Sequence, residues 1–264
     1  MDMDTSRETI NRTATVSTDA LSQAFEQVAR RLRFLHPGQT VAKAYDDAAE
    51  AYDTWDWQLV WGKTEWPLLR GVLDTPRSIL EIGIGTGAVA EKILEEIGSS
   101  VIRYVGVDVS AGMLERCRKR LGDRVTLRLA DASQFDFLTL GATFDFVLSC
   151  RMLGHIATPR RLFAEVARIL DPNGRFVVTD LDPRHAYDTT RLPTKEGGRI
   201  AVPTFKHEPN ALIAAAEREG LRLTQLLRTY EDTARAQTGE RAPHSLAGRQ
   251  GPLSNMFVFE KSPV

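Results

Sequence analysis

From Ser78 onward, short apolar runs alternate with longer segments whose apolar residues recur every three or four positions. The runs predict strands at Ser78–Ile82, Tyr104–Asp108, Val125–Ala130, Phe144–Leu148 and Arg175–Thr179. The helical spacing predicts helices at Ala88–Ile97, Ala111–Leu121 and Pro159–Leu170. Parallel strands need crossover connections, and crossover helices cover the sheet, so this alternation argues for a doubly wound α/β sheet buried on both faces. The last third breaks the rhythm. A loop-rich insert runs from Asp182 to Phe205, followed by an expected helix at Pro209–Glu219. Two late strands are expected near Leu223–Tyr230 and Asn255–Glu260, and the polar run Glu231 to Gly251 between them reads as a long mobile connection.

Ahead of the sheet, the polar residues 1–17 read as a disordered tail. Leu21, Ala24, Phe25, Val28, Leu32 and Leu35 recur at helical spacing until His36-Pro37-Gly38 stops the run. That helix is expected to be a lid or an arm that supports a homo-oligomer, or else a helix packed on its own domain. A second helical region spans about Val41 to Trp66 and holds all four tryptophans of the chain. Core packing accounts for one or two of them, and the rest suit an apolar pocket wall. The expected division is therefore a tail (1–17), an N-terminal helical lid or arm (18–66) and a main domain (67–264).

Composition narrows the function classes. Lys and Arg (34) nearly balance Asp and Glu (35), so no global field favours nucleic acid or an anionic membrane. The two cysteines, Cys117 and Cys150, lack a metal or redox spacing, which suits a reducing compartment. The first twenty residues have no apolar core, and no run approaches the roughly 20 apolar residues of a membrane span. A cytoplasmic protein acting on a small molecule is expected.

The chemistry concentrates at Glu81-Ile-Gly83-Ile-Gly85-Thr-Gly87, where the first strand meets the first helix. Glycine there allows positive φ and close approach of a ligand to the backbone. The spacing is Gly-x-Gly-x-Gly, whereas dinucleotide enzymes place a third glycine later, inside the helix. Asp108 ends the second strand, where a carboxylate accepts ribose hydroxyls; the alternative is a cap for the next helix, a role open to Ser110. Asp131 ends the third strand and precedes Ala132, a pairing suited to an adenine amine and ring, or to an ordinary strand-end turn.

Together these residues resemble the class I S-adenosylmethionine-dependent methyltransferases. The resemblance rests on Glu81 to Gly87, Gly106-Val107-Asp108-Val109-Ser110-x-x-Met113-Leu114 and Ala130-Asp131-Ala132. Phe144-Asp145-Phe146-Val147-Leu148-Ser149 and Leu170-Asp171-Pro172-Asn173-Gly174-Arg175 extend it, with Asn173 where the family has glycine. Asparagine tolerates positive φ, so that departure is mild. Tyr45-Asp46-x-x-Ala-x-x-Tyr52-Asp53 is similar to the family's segment that covers the methionine end of the cofactor.

The resemblance implies a Rossmann-like sheet of seven strands with the last antiparallel, and S-adenosyl-L-methionine as cofactor. It implies that Gly83, Gly85 and Gly87 pack on the methionyl portion, with Glu81 near its ammonium through backbone or water. Asp108 would hold the ribose, Val109 and Met113 the adenine faces, and Asp131 and Ala132 the adenine edge. Cys150 and Arg151 would lie beside the sulfonium, and Tyr45 or Tyr52 would close the site.

Methyl transfer from a sulfonium is an in-line displacement with a neutral leaving group, so alignment and exclusion of water matter most. A hydroxyl acceptor benefits from a base. His155, just after the fourth strand, is the candidate, with Tyr52 beside it; the alternative is a structural histidine bonded to a backbone carbonyl. No metal is expected, although Asp180, Asp182 and His185 form a minor alternative ligand set. The expected reaction methylates an apolar or aromatic small molecule, a secondary metabolite or quinone-like compound. The rival readings are an NAD(P)-dependent oxidoreductase and a non-catalytic cofactor-binding assembly protein.

Overall fold

The structure, a computed structural model, describes residues 41–186, 189–246 and 248–261. The polar tail and the helix expected between Thr18 and Leu35 lie outside the described residues. The strands are β1 (Ser78–Ile82), β2 (Arg103–Asp108), β3 (Thr126–Leu129), β4 (Phe144–Cys150), β5 (Leu170–Leu181), β6 (Thr189–Pro193), β7 (Arg199–Pro203), β8 (Leu221–Tyr230) and β9 (Pro252–Lys261). The helices are α1 (Val41–Ala48), α2 (Asp56–Val72), α3 (Ala88–Ile97), α4 (Ala111–Leu121), α5 (Arg160–Ile169), α6 (Pro209–Arg218) and α7 (Glu231–Thr238).

Seven strands form one sheet in the order β3-β2-β1-β4-β5-β9-β8. β1 to β5 pair in parallel, and β9, the last in the chain, runs antiparallel between β5 and β8. The expected fold class is the observed one. The period of two along each strand divides its residues between two cores. Leu80, Ile82, Val107 and Phe176 face α5 and α6 through Phe163, Val166 and Leu212. Ile79, Tyr104, Phe146 and Val177 face α2, α3 and α4 through Leu69, Ile93 and Cys117. The strand order reverses between β1 and β4, and such a switch point opens a crevice at the carboxyl ends of the strands.

The structure corrects the reading of two segments. The insert after Asp182 contains an antiparallel hairpin, β6 with β7, rather than loop alone. Its Leu192 and Val202 are buried against Ala44 and Ala48 of α1. The run from Glu231 to Gly251 is not a bare connection. It holds α7 and a turn at His244–Leu246, whose Ala234 and Leu246 pack on Val60 and Trp61 of α2. Both segments carry few apolar residues, and each buries only one or two, below what periodicity reveals. The boundary expected at residue 66 falls inside α2, whose Leu69 and Val72 share a core with β1. β5 starts early, at Leu170, and takes in Asn173 at φ 64°, the positive φ that asparagine tolerates.

Candidate active site

A cavity of about 170 Å³ opens at the carboxyl ends of β1, β2 and β4. The glycine loop forms one wall. Gly83 takes φ 79°, and a Cβ there would lie 2.8 Å from Met152, so a side chain is excluded by conformation and by space. Gly83, Gly85, Val107, Asp108, Val109 and Met113 line the cavity on this side, and Asp131 and Ala132 on the next. Gly87 packs elsewhere: its Cβ position would meet Cys117 Sγ at 2.7 Å, so its lack of a side chain serves α3–α4 packing.

Asp108 is held by backbone amides. Its Oδ2 accepts from the Gly85 amide at 2.8 Å and its Oδ1 from the Ser110 amide at 2.9 Å. A carboxylate has about four acceptor sites, and with the Val109 amide also directed at it, acceptor capacity still remains for the cavity. Burial pushes its pKa up, against those amide donors. Ser110 caps α4 as the sequence allowed, accepting from the Met113 amide at 3.1 Å. Asp131 Oδ1 accepts from the Ser133 amide and hydroxyl at 2.9 and 2.6 Å.

The segment ahead of the sheet is held over the loop by Asp46 and Asp53, leaving Tyr45 and Tyr52 to face the cavity. Asp46 Oδ1 accepts from Ser110 Oγ at 2.6 Å and from the Gly112 amide at 2.8 Å, which docks α1 on the start of α4. Asp53 Oδ1 accepts from Thr86 Oγ1 at 2.6 Å, and its Oδ2 accepts from Arg120 at 2.7 Å. Tyr45 and Tyr52 then line the cavity with ring centroids 5.9 Å apart.

Over residues 80–178, a family model described as a methyltransferase domain matches this chain. These residues are thus similar to a methyltransferase domain, set in the fold that S-adenosylmethionine-dependent methyltransferases share. It is 29% identical over 162 residues to the methyltransferase GfsG of Streptomyces halstedii, covering 59% of this chain and 56% of that protein. The chain thus spans little more than half the length of that relative. An S-adenosylmethionine-dependent methyltransferase from Mesorhizobium loti shares the fold with a TM-score of 0.57 at 21% identity, over 76% of this chain and all of that one. The methyltransferase CcbJ from Streptomyces caelestis does so with a TM-score of 0.59 at 22% identity, over 83% and 98%. S-adenosylmethionine is the cofactor of such a domain, and the residues present fit it. The glycines leave the loop backbone bare, and Asp108 keeps acceptor capacity at the cavity wall.

The remaining sequence candidates lie as follows. His155 lines the cavity, and its two ring nitrogens are both engaged. Nδ1 lies 3.0 Å from the Pro203 carbonyl, which only accepts, so Nδ1 carries the proton. Nε2 is therefore the acceptor for the Tyr45 hydroxyl at 2.7 Å. Burial lowers the His155 pKa, favouring this neutral tautomer. The backbone-bonded alternative and the base candidate are thus the same residue, with Tyr45 placed on its basic nitrogen. Glu81 is not at the cavity wall. It is buried in β1 and accepts from Tyr104 Oη at 2.6 Å, on the face that holds α3 and α4.

Cys150 and Arg151 line this cavity and a neighbouring one of about 230 Å³ between α2 and α3. Arg151 has φ 58° and donates to Glu65 Oε2 at 2.6 Å, with its guanidinium 5.3 Å from the Trp61 ring. Burial works to lower its pKa, but Glu65 outweighs that and holds it above the ordinary value. Glu65 also accepts from Ser254 Oγ at 2.8 Å. Sequence reading passed over Glu65. The signal was there, since it occupies the buried stripe Trp61, Glu65, Leu69, Val72 of α2.

Two further histidines, His207 and His185, are paired inside the fold. His207 Nε2 lies 2.9 Å from the Ile156 carbonyl and Nδ1 2.8 Å from Asp180. Burial opposes its charge, but Asp180 prevails and its pKa is raised. His185 bonds to Glu231, both buried. Asp182 accepts from Arg184 and Asn255. Asp180, Asp182 and His185 therefore each turn to a different partner, and among the described residues no acid, histidine or cysteine cluster is arranged for a metal. No helix of the described residues is long and apolar enough to cross a membrane.

Proposed function

We propose that this protein transfers a methyl group from S-adenosylmethionine to an apolar or aromatic small molecule of the secondary-metabolite class. The cofactor, when bound, supplies an electrophilic methyl group on a sulfonium whose departure leaves a neutral thioether. The protein's task is then to hold the acceptor in line and keep water away. Gly83 and Gly85 would face the methionyl part, Asp108 the ribose, Val109 and Met113 the adenine faces, and Asp131 and Ala132 its edge. Cys150 would lie on the sulfonium side of the cavity, and Tyr52 would close it over the glycine loop. Glu81 would act on the ammonium only at a distance, since its carboxyl is occupied by Tyr104.

The observation that carries the reaction is the Tyr45–His155 hydrogen bond at the cavity wall. Neutral His155 draws on the Tyr45 proton and makes the phenolic oxygen a better acceptor. A hydroxyl acceptor could pass its proton to Tyr45 Oη while Tyr45 gives its own to His155 Nε2. GfsG and CcbJ are methyltransferases from Streptomyces species, which supports the acceptor class. So does the aromatic layer of Tyr52 and Trp55 next to the cavity. Incubation with methyl-labelled S-adenosylmethionine and an extract of the host organism tests the reading. Label in a small aromatic product is expected, and label in macromolecules alone would overturn it.

A further inference from the structure

A cavity of about 610 Å³ lies next to the Tyr52–Trp55 pair and shares no lining residue with the cavity at the glycine loop. Trp55, Trp57 and Trp61 line it, and the rings of Trp57 and Trp61 stack with centroids 4.9 Å apart. The β6–β7 hairpin lines it as well, and strand alternation decides what it shows. Leu192 and Val202 are fully buried on α1, and their cross-strand partners Ile200 and Thr190 share that face. Arg191 pairs with Ala201 and Arg199 with Pro193, which puts both arginines on the other face. Both line the cavity.

Their surroundings set these two arginines apart. Arg120, Arg151 and Arg184 each hold a carboxylate within hydrogen-bond distance. Neither Arg191 nor Arg199 has an ion pair or a side-chain hydrogen bond among the described residues. Asp56 is the one carboxylate among the described residues lining the cavity. Glu231 is committed to His185 in the same wall. The cavity therefore combines indole rings with two guanidinium groups that make no ion pair among the described residues. A guanidinium pairs with a carboxylate or phosphate through two parallel hydrogen bonds, a geometry water does not match.

We infer that this cavity binds the methyl acceptor through a planar apolar body laid on the tryptophans and an anionic group held by Arg191 and Arg199. The inference rests on the methyltransferase reading and adds the charge of the substrate. The two cavities are one side chain apart. Tyr52 lines the cofactor side and Trp55 the acceptor side, with centroids 6.0 Å apart. Arg151, at the cofactor cavity, lies over Trp61, which lines this one.

Calorimetry on the full chain tests this with 2-naphthoate, 2-naphthyl phosphate and the neutral 2-naphthamide, each in the presence of S-adenosylhomocysteine. At least one anion should bind about tenfold or more tightly than the amide, and the better anion tells carboxylate from phosphate. Arg191→Gln with Arg199→Gln should reduce that preference below about threefold and leave S-adenosylhomocysteine affinity unchanged. Trp57→Ala should weaken anion and amide alike. Binding of S-adenosylhomocysteine with no preference for anions, or a preference that survives the double arginine variant, would overturn the inference. Failure to bind S-adenosylhomocysteine would instead overturn the methyltransferase reading beneath it.

Discussion

Tyr104 donates a 2.6 Å hydrogen bond to Glu81 inside the core, one strand away from the glycine loop. Burial pushes the Glu81 carboxyl up to about 8 from its ordinary 4.5, although Tyr104 and then Arg151 pull the other way. The folded protein therefore prefers Glu81 protonated, while the unfolded chain releases the proton near 4.5. Stability from this group is complete below about 4.5 and is lost as pH rises towards about 8. Urea midpoints of the wild type should fall across that window more steeply than those of Glu81→Gln. Parallel profiles for the two proteins would show that Glu81 is not the titrating group.

Asp108 accepts two backbone amides and is assigned the ribose. Asp108→Ala should weaken S-adenosylhomocysteine binding by about tenfold or more, since hydrogen bonds to charged groups are worth about 1.5–3 kcal/mol. Calorimetry checks this, and unchanged affinity would remove Asp108 from that role.

Tyr45 and His155 should behave as one unit. Tyr45→Phe and His155→Ala should each lower kcat by about 100-fold, within the range for acid–base groups. The double variant should lose little more, because either change alone breaks the pair. Fully additive losses would mean that the two act separately. Burial lowers the His155 pKa, so kcat should hold through neutrality and fall only below the usual histidine range.

Arg151 and Glu65 form a buried pair, with side chains 17% and 4% exposed. Glu65→Ala should cost about 3–5 kcal/mol in a denaturant titration, because it leaves a buried guanidinium without a counter-charge. Adding Arg151→Met should recover part of that loss. A further loss in the double variant would contradict the pairing.

The close packing of α1 on α4 is testable as well. A Cβ on Gly112 would lie 3.2 Å from the Asp46 backbone, so Gly112→Ala should loosen α1 from α4. A loss of about 1–3 kcal/mol, the usual range for overpacking, is expected by thermal melting. An unchanged midpoint would mean that α1 shifts without cost.

The central sheet was legible because its strands are continuous apolar runs and its helices have clear faces. Ser78–Ile82, Ala88–Ile97 and Ala111–Leu121 match their predicted bounds. That Gly83, Gly85, Asp108 and Asp131 share one cavity was legible because glycines and acids at that spacing fall at neighbouring strand ends. Glu81 and Gly87 were harder. Their spacing fitted the motif, but strand alternation turns Glu81 towards Tyr104, and Gly87 serves helix packing. The acceptor side was least legible. β6 and β7 are five residues each, and α7 is eight, so their apolar positions are too few for periodicity. The His185–Glu231 and His207–Asp180 pairs join residues 46 and 27 positions apart, which no local pattern reports.

The β6–β7 hairpin grips α1 by Leu192 and Val202 and adds no strand to the seven-stranded sheet. Its two faces therefore answer to different pressures. Changes at Leu192 or Val202 loosen the helix that carries Tyr45, while changes at Arg191, Arg199 or Ala201 leave that grip intact. A lineage can thus exchange one outward side chain for another and explore new substrates without rebuilding the machinery that handles the donor.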